Sequence, residues 1–435
     1  MLIYLIFFAV IFSLLNIFFS YYITNKYKII LPSVYSLVFL TIAYLWFPLF
    51  LYMDTINISK IYSFRIDDEI YFISSLIIFT FFCFFYLGYF AKRNTYYELI
   101  VKKERKFRLY FIIIFFIGLS AFFTSIYMYG GFAYMLENIS KVRSGTDENK
   151  NYIGAFIRIF SSYIEYAFFA LFSYVLLNKQ RVSKLVKLFL FLLFLFTVFK
   201  LFLDGGRGGL LSLFVGMYVI YNYITYKFKI FYLSLAVVLA LFVILYGKIF
   251  LFSIFIGENF ANDFEFKIDF LSSFMIEYAH LYMSMISAFM NDLLSERLFA
   301  DFYYWIFKPL KLFGVSDYDS ISYFNTYYIL GNWNSDIPPG IIAFFLFEGG
   351  ILFVIIGSFI LGFVYSIFDK LFHISNYNTK DPFILAFFAI YLHIIARVVL
   401  NSDIALFIQA NIAYFILIIV FFMINYFKLK RVKYV

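Results

Sequence analysis

The chain reads as an all-α, polytopic membrane bundle of about eleven transmembrane helices, with a large extracytoplasmic loop containing amphipathic helices. Three observations predict this. First, 64% of the 435 residues are hydrophobic and only 14% are charged, against roughly 25% charged in soluble domains, and mean hydropathy is +0.90. A water-soluble protein of this size has too little interior to hide that much apolar surface. Second, apolar runs recur at about the 20-residue length a spanning helix needs. They are continuous, which excludes the alternating strands of a membrane barrel. Third, basic residues gather in every second connection.

The candidate spans cover 1–23, 30–53, 70–91, 109–130, 153–177, 187–203, 209–226, 230–250, 340–368, 382–400 and 404–427. The first lacks the basic leader and small-residue cleavage site of a signal peptide, so we read it as retained. Cys83, the single cysteine, lies within the third run and has no partner for a disulfide. Five connections are short and basic, carrying Lys26 and Lys28, then Lys92 to Arg108, then Lys179 to Lys187, then Lys227 and Lys229, then Lys428 to Lys433. They alternate without a break, which places them in the cytoplasm, the N-terminus outside and the C-terminus inside. The net charge of +9 is mostly this asymmetry and excludes a nucleic-acid footprint.

The outer face then carries loops at 54–69 and 131–152, a tight turn at 204–208 and a region of about 90 residues at 251–339, long for a connection without function. Within it, 270–294 is apolar but interrupted by Asp269, Glu277, His280, Asn291 and Asp292. One more span there would invert the charge pattern downstream. It is therefore expected to be an amphipathic helix resting on the outer surface. No internal repeat or linker divides the chain, so it is one transmembrane domain.

Ionisable residues within spans are functional candidates, because hydrocarbon disfavours them. They are Glu165, Lys200, Lys248, Glu348, His393 and Arg397. Lys200 and Lys248 lie near outer ends and can snorkel. Glu165 and His393 could equally be packing polars. Arg397 precedes Asn401-Ser402-Asp403, and an ion pair with Asp403 is one alternative to a site role. The segment Asp204-Gly205-Gly206-Arg207-Gly208-Gly209 joins two spans at the outer surface. Its glycines let the backbone approach a ligand closely. Free N–H groups beside a guanidinium suit phosphate oxygens. A glycine-rich turn with a solvated arginine is the alternative. Arg143 is a third outer arginine, for which a solvated loop charge serves as well. Arg143, Arg207 and Arg397 together point to an anionic group at the outer boundary. No nucleotide, dinucleotide, zinc-protease or serine-hydrolase motif is present.

The order of these features resembles a bacterial oligosaccharide repeat-unit polymerase, of the O-antigen and enterobacterial-common-antigen type. The resemblance covers about 130 to the C-terminus. It rests on Gly205-Gly206-Arg207 after a span, then a large outer loop with Asp301-Phe302-Tyr303. There follow Ser335-Asp336-Ile337-Pro338-Pro339-Gly340 leading into a span with Glu348-Gly349-Gly350, and Arg397 before Asn401-Ser402-Asp403. It implies a GT-C-like membrane glycosyltransferase in the bacterial inner membrane. Such an enzyme moves a growing glycan from undecaprenyl diphosphate to a sugar hydroxyl of a new lipid-linked unit, with no cofactor and no metal. Its partners would be undecaprenyl-diphosphate-linked oligosaccharide and membrane lipids; a chain-length regulator is left open. Arg143, Arg207, Arg397, Gly206 and Gly208 would hold the diphosphate. Glu277, His280, Asp301 and Tyr303 would bind the glycan. A general base is needed; Asp336, Glu277 and Asp301 are outer carboxylates and Glu348 a deeper one. Asp336 is the first choice, although a helix-start cap explains it equally well. Two other readings compete, an O-antigen ligase and a transporter or exporter of lipid-linked glycans. His280 lacks ligase-like flanks, and transporters usually show inverted repeats and broken helices.

Overall fold

The computed structural model describes residues 1–55, 66–91, 95–101, 107–137, 152–179, 181–204, 207–229, 231–235, 238, 270–304, 320–331 and 337–433. Arg207, Gly208, Glu277 and Arg397 are described by their backbone alone. The helices follow the apolar runs. α1 (Leu2–Tyr27) packs on a second span built from α2 (Pro32–Thr41), a π-helical turn (Ile42–Trp46) and α3 (Phe47–Tyr52). The widened turn falls where Pro48 has no N–H to return to the Tyr44 carbonyl. Next come α4 (Asp68–Phe90), strand β1 (Thr95–Val101), α5 (Phe107–Met128), α6 (Phe132–Glu137), α7 (Tyr152–Phe160), α8 (Tyr163–Leu177), α9 (Lys184–Leu203) and α10 (Arg207–Thr225). The rest comprises α11 (Phe270–Met290), α12 (Ala300–Tyr304), α13 (Ile321–Leu330), α14 (Ile341–Thr379), α15 (Pro382–Asn401), α16 (Ile404–Met423) and strand β2 (Phe427–Lys433).

Among the described residues, nine helical stretches are long and apolar enough to cross a membrane, and Gly209–Thr225 is a shorter apolar helix. Nine of the eleven expected spans are therefore accounted for. The seventh is the shorter helix, and most of the eighth, 230–250, lies outside the described residues. α15 is the central post, with 71% of its span buried, whereas only 22% of α9 is. Exposed Ile3, Phe7, Ile17 and Phe18 form an outward stripe on α1, a surface suited to lipid rather than water.

α4 and α14 pack backbone to backbone. A methyl group on Gly88 would overlap the Phe359 carbonyl, and one on Gly362 would overlap that of Phe85. Small residues at such crossings let membrane helices gain dispersion contacts that lipid does not supply. Gly88→Val is expected to destabilise the protein by about 1–3 kcal/mol, as overpacking does. Thermal unfolding in detergent would show it as a lowered midpoint, with Leu87→Val, at a position 59% exposed, leaving the midpoint nearly unchanged.

Three features differ from the sequence expectation. The described half of α11 is not a surface helix: Ala279 and the residues from Leu281 to Ala288 are wholly buried, against α14, α13, α3 and α4. Its polar groups are met inside the protein. The Ser284 hydroxyl donates to the His280 carbonyl at 2.6 Å, the Asn325 amide donates to Ser284 at 2.9 Å, and the Tyr282 and Ser74 hydroxyls bond at 2.8 Å. Second, α14 is two helices. Gly350 sits at φ +64° and ψ −156°, a left-handed region open to glycine. The Phe345 ring lies against Gly357 and 5.3 Å from the Phe353 ring. Twelve positions of straight helix would separate 345 from 357 by about 18 Å, so 341–348 folds back on the helix that follows. Third, the segment 95–101 and the basic segment 427–433 form a two-stranded antiparallel ribbon, with Glu98 opposite Lys430. Opposite charges across a ladder favour that register.

Candidate functional site

α10 packs against α15, and Tyr223 meets Phe388 at a ring distance of 6.1 Å. Tyr223 is near the end of α10 and Phe388 near the start of α15, so the two helices run antiparallel. Arg207, the first residue of α10, and Arg397, one turn before the end of α15, therefore lie at the same end of the pair. Counting from the Tyr223–Phe388 contact, Arg397 stands about 10 Å below Arg207 along the axes. Gly208 follows Arg207 in the first turn of α10. Arg143, Gly206 and Asp336 lie outside the described residues, as does the side chain of Glu277 on α11. Asp403 caps α16 through the Leu406 N–H at 2.8 Å and accepts from the Ser322 hydroxyl at 2.6 Å.

Beside the α9–α10 turn is a network of four charges. Lys200 contacts Glu165 at 2.5 Å and Asp204 at 2.7 Å. Arg158 contacts Asp204 at 2.9 Å and donates to the Leu203 carbonyl at 3.1 Å. Lys200 and Asp204 are one helical turn apart, while Arg158 and Glu165 come from α7 and α8. The Lys200 side chain is 4% exposed. It does not snorkel; it is paired within the protein. Burial pushes the pKa of the Asp204 carboxyl up, but Lys200 and Arg158 together pull it down by more, and the balance lies below the ordinary carboxylate value. Two cations and two anions neutralise one another. The network thus anchors the last residue before Gly205-Gly206-Arg207. Arg158 was not a sequence candidate, because nothing in α7 alone ties it to Asp204, 46 residues away.

A second polar centre lies at the break in α14. The N–H groups of Ser295, Arg297 and Phe299 donate to the carbonyls of Leu346, Phe347 and Glu348 at 2.9, 3.0 and 3.0 Å. They cap the carbonyls left open when the helix stops. Arg297 donates to Asp301 at 2.6 Å, lies 3.7 Å from Glu348 and stacks over Phe324 at 5.3 Å. Asp301 also accepts the Ile321 N–H at 3.2 Å. Asp301 and Glu348 are both wholly buried. The expected glycan carboxylate Asp301 thus serves here in holding the 295–299 loop to α13 and α14. Its neighbour Tyr303 is 71% exposed, and His280 is half-buried on α11. A third buried carboxylate, Asp369, accepts from the Ser33 N–H and hydroxyl and from Tyr89. It caps α2 from another helix, which its position at the end of an apolar run does not reveal.

An apolar groove of about 860 Å³ runs between α1, α2 and α10. Leu211 and Val215 line it. They stand one and two turns below Arg207 on the same helical face.

No family model, curated protein or solved structure matches the chain.

Proposed function

We propose that the protein is a polymerase of undecaprenyl-diphosphate-linked oligosaccharide units, acting at the outer face of the bacterial inner membrane. The antiparallel α10–α15 pair carries this reading, because it brings Arg207 and Arg397 to one end of the bundle. Two guanidinium groups there suit a diphosphate. In the proposed reaction a sugar hydroxyl of the incoming unit attacks the anomeric carbon of the growing chain. The bond from that carbon to the diphosphate oxygen breaks as the new glycosidic bond forms. The arginines stabilise charge on the departing diphosphate, and the hydroxyl proton passes to a carboxylate, with Asp336 the first choice.

A second reading, a transporter or exporter of lipid-linked glycans, draws support from the interrupted α14, since broken helices recur at transporter binding sites. A strain lacking the gene separates them. Surface glycan of one repeat unit is expected for a polymerase, loss of all surface glycan for an exporter, and long unattached chains for a ligase.

The orientation belongs to the same proposal, with the N-terminus outside, the C-terminus cytoplasmic and 251–339 outside. Reporter fusions near position 300 should be active only when the reporter works outside the cytoplasm. A cytoplasmic reporter active there would reverse the orientation.

A further inference from the structure

The groove between α1, α2 and α10 has the volume of a ligand site. Its long dimension sets it apart. The fifteen positions from Leu211 to Tyr226, both lining residues, cover about 22 Å along a helix. One leaflet offers about half of a 30 Å hydrocarbon core. A chain lying along the groove therefore continues beyond the bilayer midplane.

The wall asks nothing polar of its occupant at mid-depth. There the Asn16 amide donates to Thr41 at 2.7 Å, Thr41 donates to the Leu37 carbonyl at 2.7 Å, and the Tyr86 hydroxyl donates to Asn16. Ser20, Thr24 and Asn25 add polar side chains toward the Lys28 end, and the rest of the lining is mainly aliphatic and aromatic, with Val34, Phe39 and Trp46 among it. One side is open to the bilayer, where Ile17 is 63% and Val38 51% exposed, so a chain can enter sideways without passing a polar barrier. Among the described lining residues the charged one is Lys28, at the end away from Arg207.

We infer that this groove binds a lipid whose single hydrocarbon chain passes through both leaflets, with its anionic head at the Arg207 end of α10. The chain length comes from the groove alone. The placing of the head rests on the polymerase reading.

The test uses the full-length protein in phosphatidylcholine nanodiscs. Undecaprenyl and farnesyl monophosphate probes, each with a photoreactive diazirine at the chain end, are crosslinked and mapped by mass spectrometry. The long probe is expected to label the far end, around Asn25, Tyr226 and Phe228, and the short probe the near end, around Leu211 and Trp46. Val38→Trp, at an exposed wall position, should cut far-end labelling by the long probe several-fold and spare the short probe. Labelling of the near end by both probes, labelling outside the groove, or indifference to Val38→Trp would overturn the inference. A larger loss of probe binding in Lys28→Gln than in Arg207→Gln would also overturn it, by reversing the lipid. Correct labelling alongside normal-length glycan in the deletion strain would sink the polymerase reading and leave the groove standing.

Discussion

Arg207→Ala and Arg397→Ala should each lower polymer formation from purified lipid-linked units by about 10²–10³-fold, the scale of losing one charge-stabilising donor at a reaction centre. The double variant should lose little more. If both arginines neutralise one diphosphate they act as a unit, and losses within a unit are far from additive. Independent structural roles give the opposite pattern, with losses that multiply and protein levels that fall. Arg207→Lys discriminates further. Lysine keeps the charge but lacks the planar fork, so most of the activity should still disappear at normal expression. Full chain length in Arg207→Ala would reduce the glycine-rich segment to a turn. The antiparallel pairing of α10 and α15 makes the experiment worthwhile, since about 190 residues separate the two arginines in sequence.

Lys200→Met should destabilise the protein by about 3–5 kcal/mol, the cost of removing one partner from a buried ion pair. Methionine fills similar volume, so the loss is electrostatic: Glu165 is left without its 2.5 Å contact, and Asp204 keeps only Arg158. Adding Glu165→Gln removes the stranded charge and should restore much of the midpoint in detergent unfolding. If the single variant unfolds like the parent, the network contributes nothing to stability. If the double variant is no better than the single, the cost lies elsewhere than in the stranded carboxylate.

The spans were legible because continuous apolar runs have one stable solution in hydrocarbon. What escaped were partnerships between distant segments. Glu277 and His280 make α11 look amphipathic, yet Ser284 and Tyr282 find partners on α13 and α4, one of them 208 residues away. The Gly349-Gly350 pair is visible as a helix breaker, but the fold-back depends on N–H groups from 295–299 reaching carbonyls about fifty residues later. Lys200 is instructive in another way. The Asp204 one turn beyond it was readable as a partner, whereas Glu165 was brought to it only by the packing of α8 on α9. For the site, the common end of Arg207 and Arg397 follows from helix order and charge bias, while the burial of Asp301 does not, because the arginine and loop that hold it are defined by tertiary contacts.

The β1–β2 ribbon carries a consequence for biosynthesis. Thr95 pairs with Lys433, so more than three hundred residues separate the partners. At a ribosomal pace of 5–20 residues per second, β1 waits roughly 20–70 s for its mate. Throughout that interval the backbone donors and acceptors that face β2 lack these partners, and an open strand edge invites pairing with a neighbouring nascent chain. The acidic Glu98 in its centre makes such self-pairing less favourable, since a second copy in antiparallel register would set like charges against each other. A strand that repels its own kind but matches a lysine-rich partner keeps its edge for a segment synthesised more than three hundred residues later.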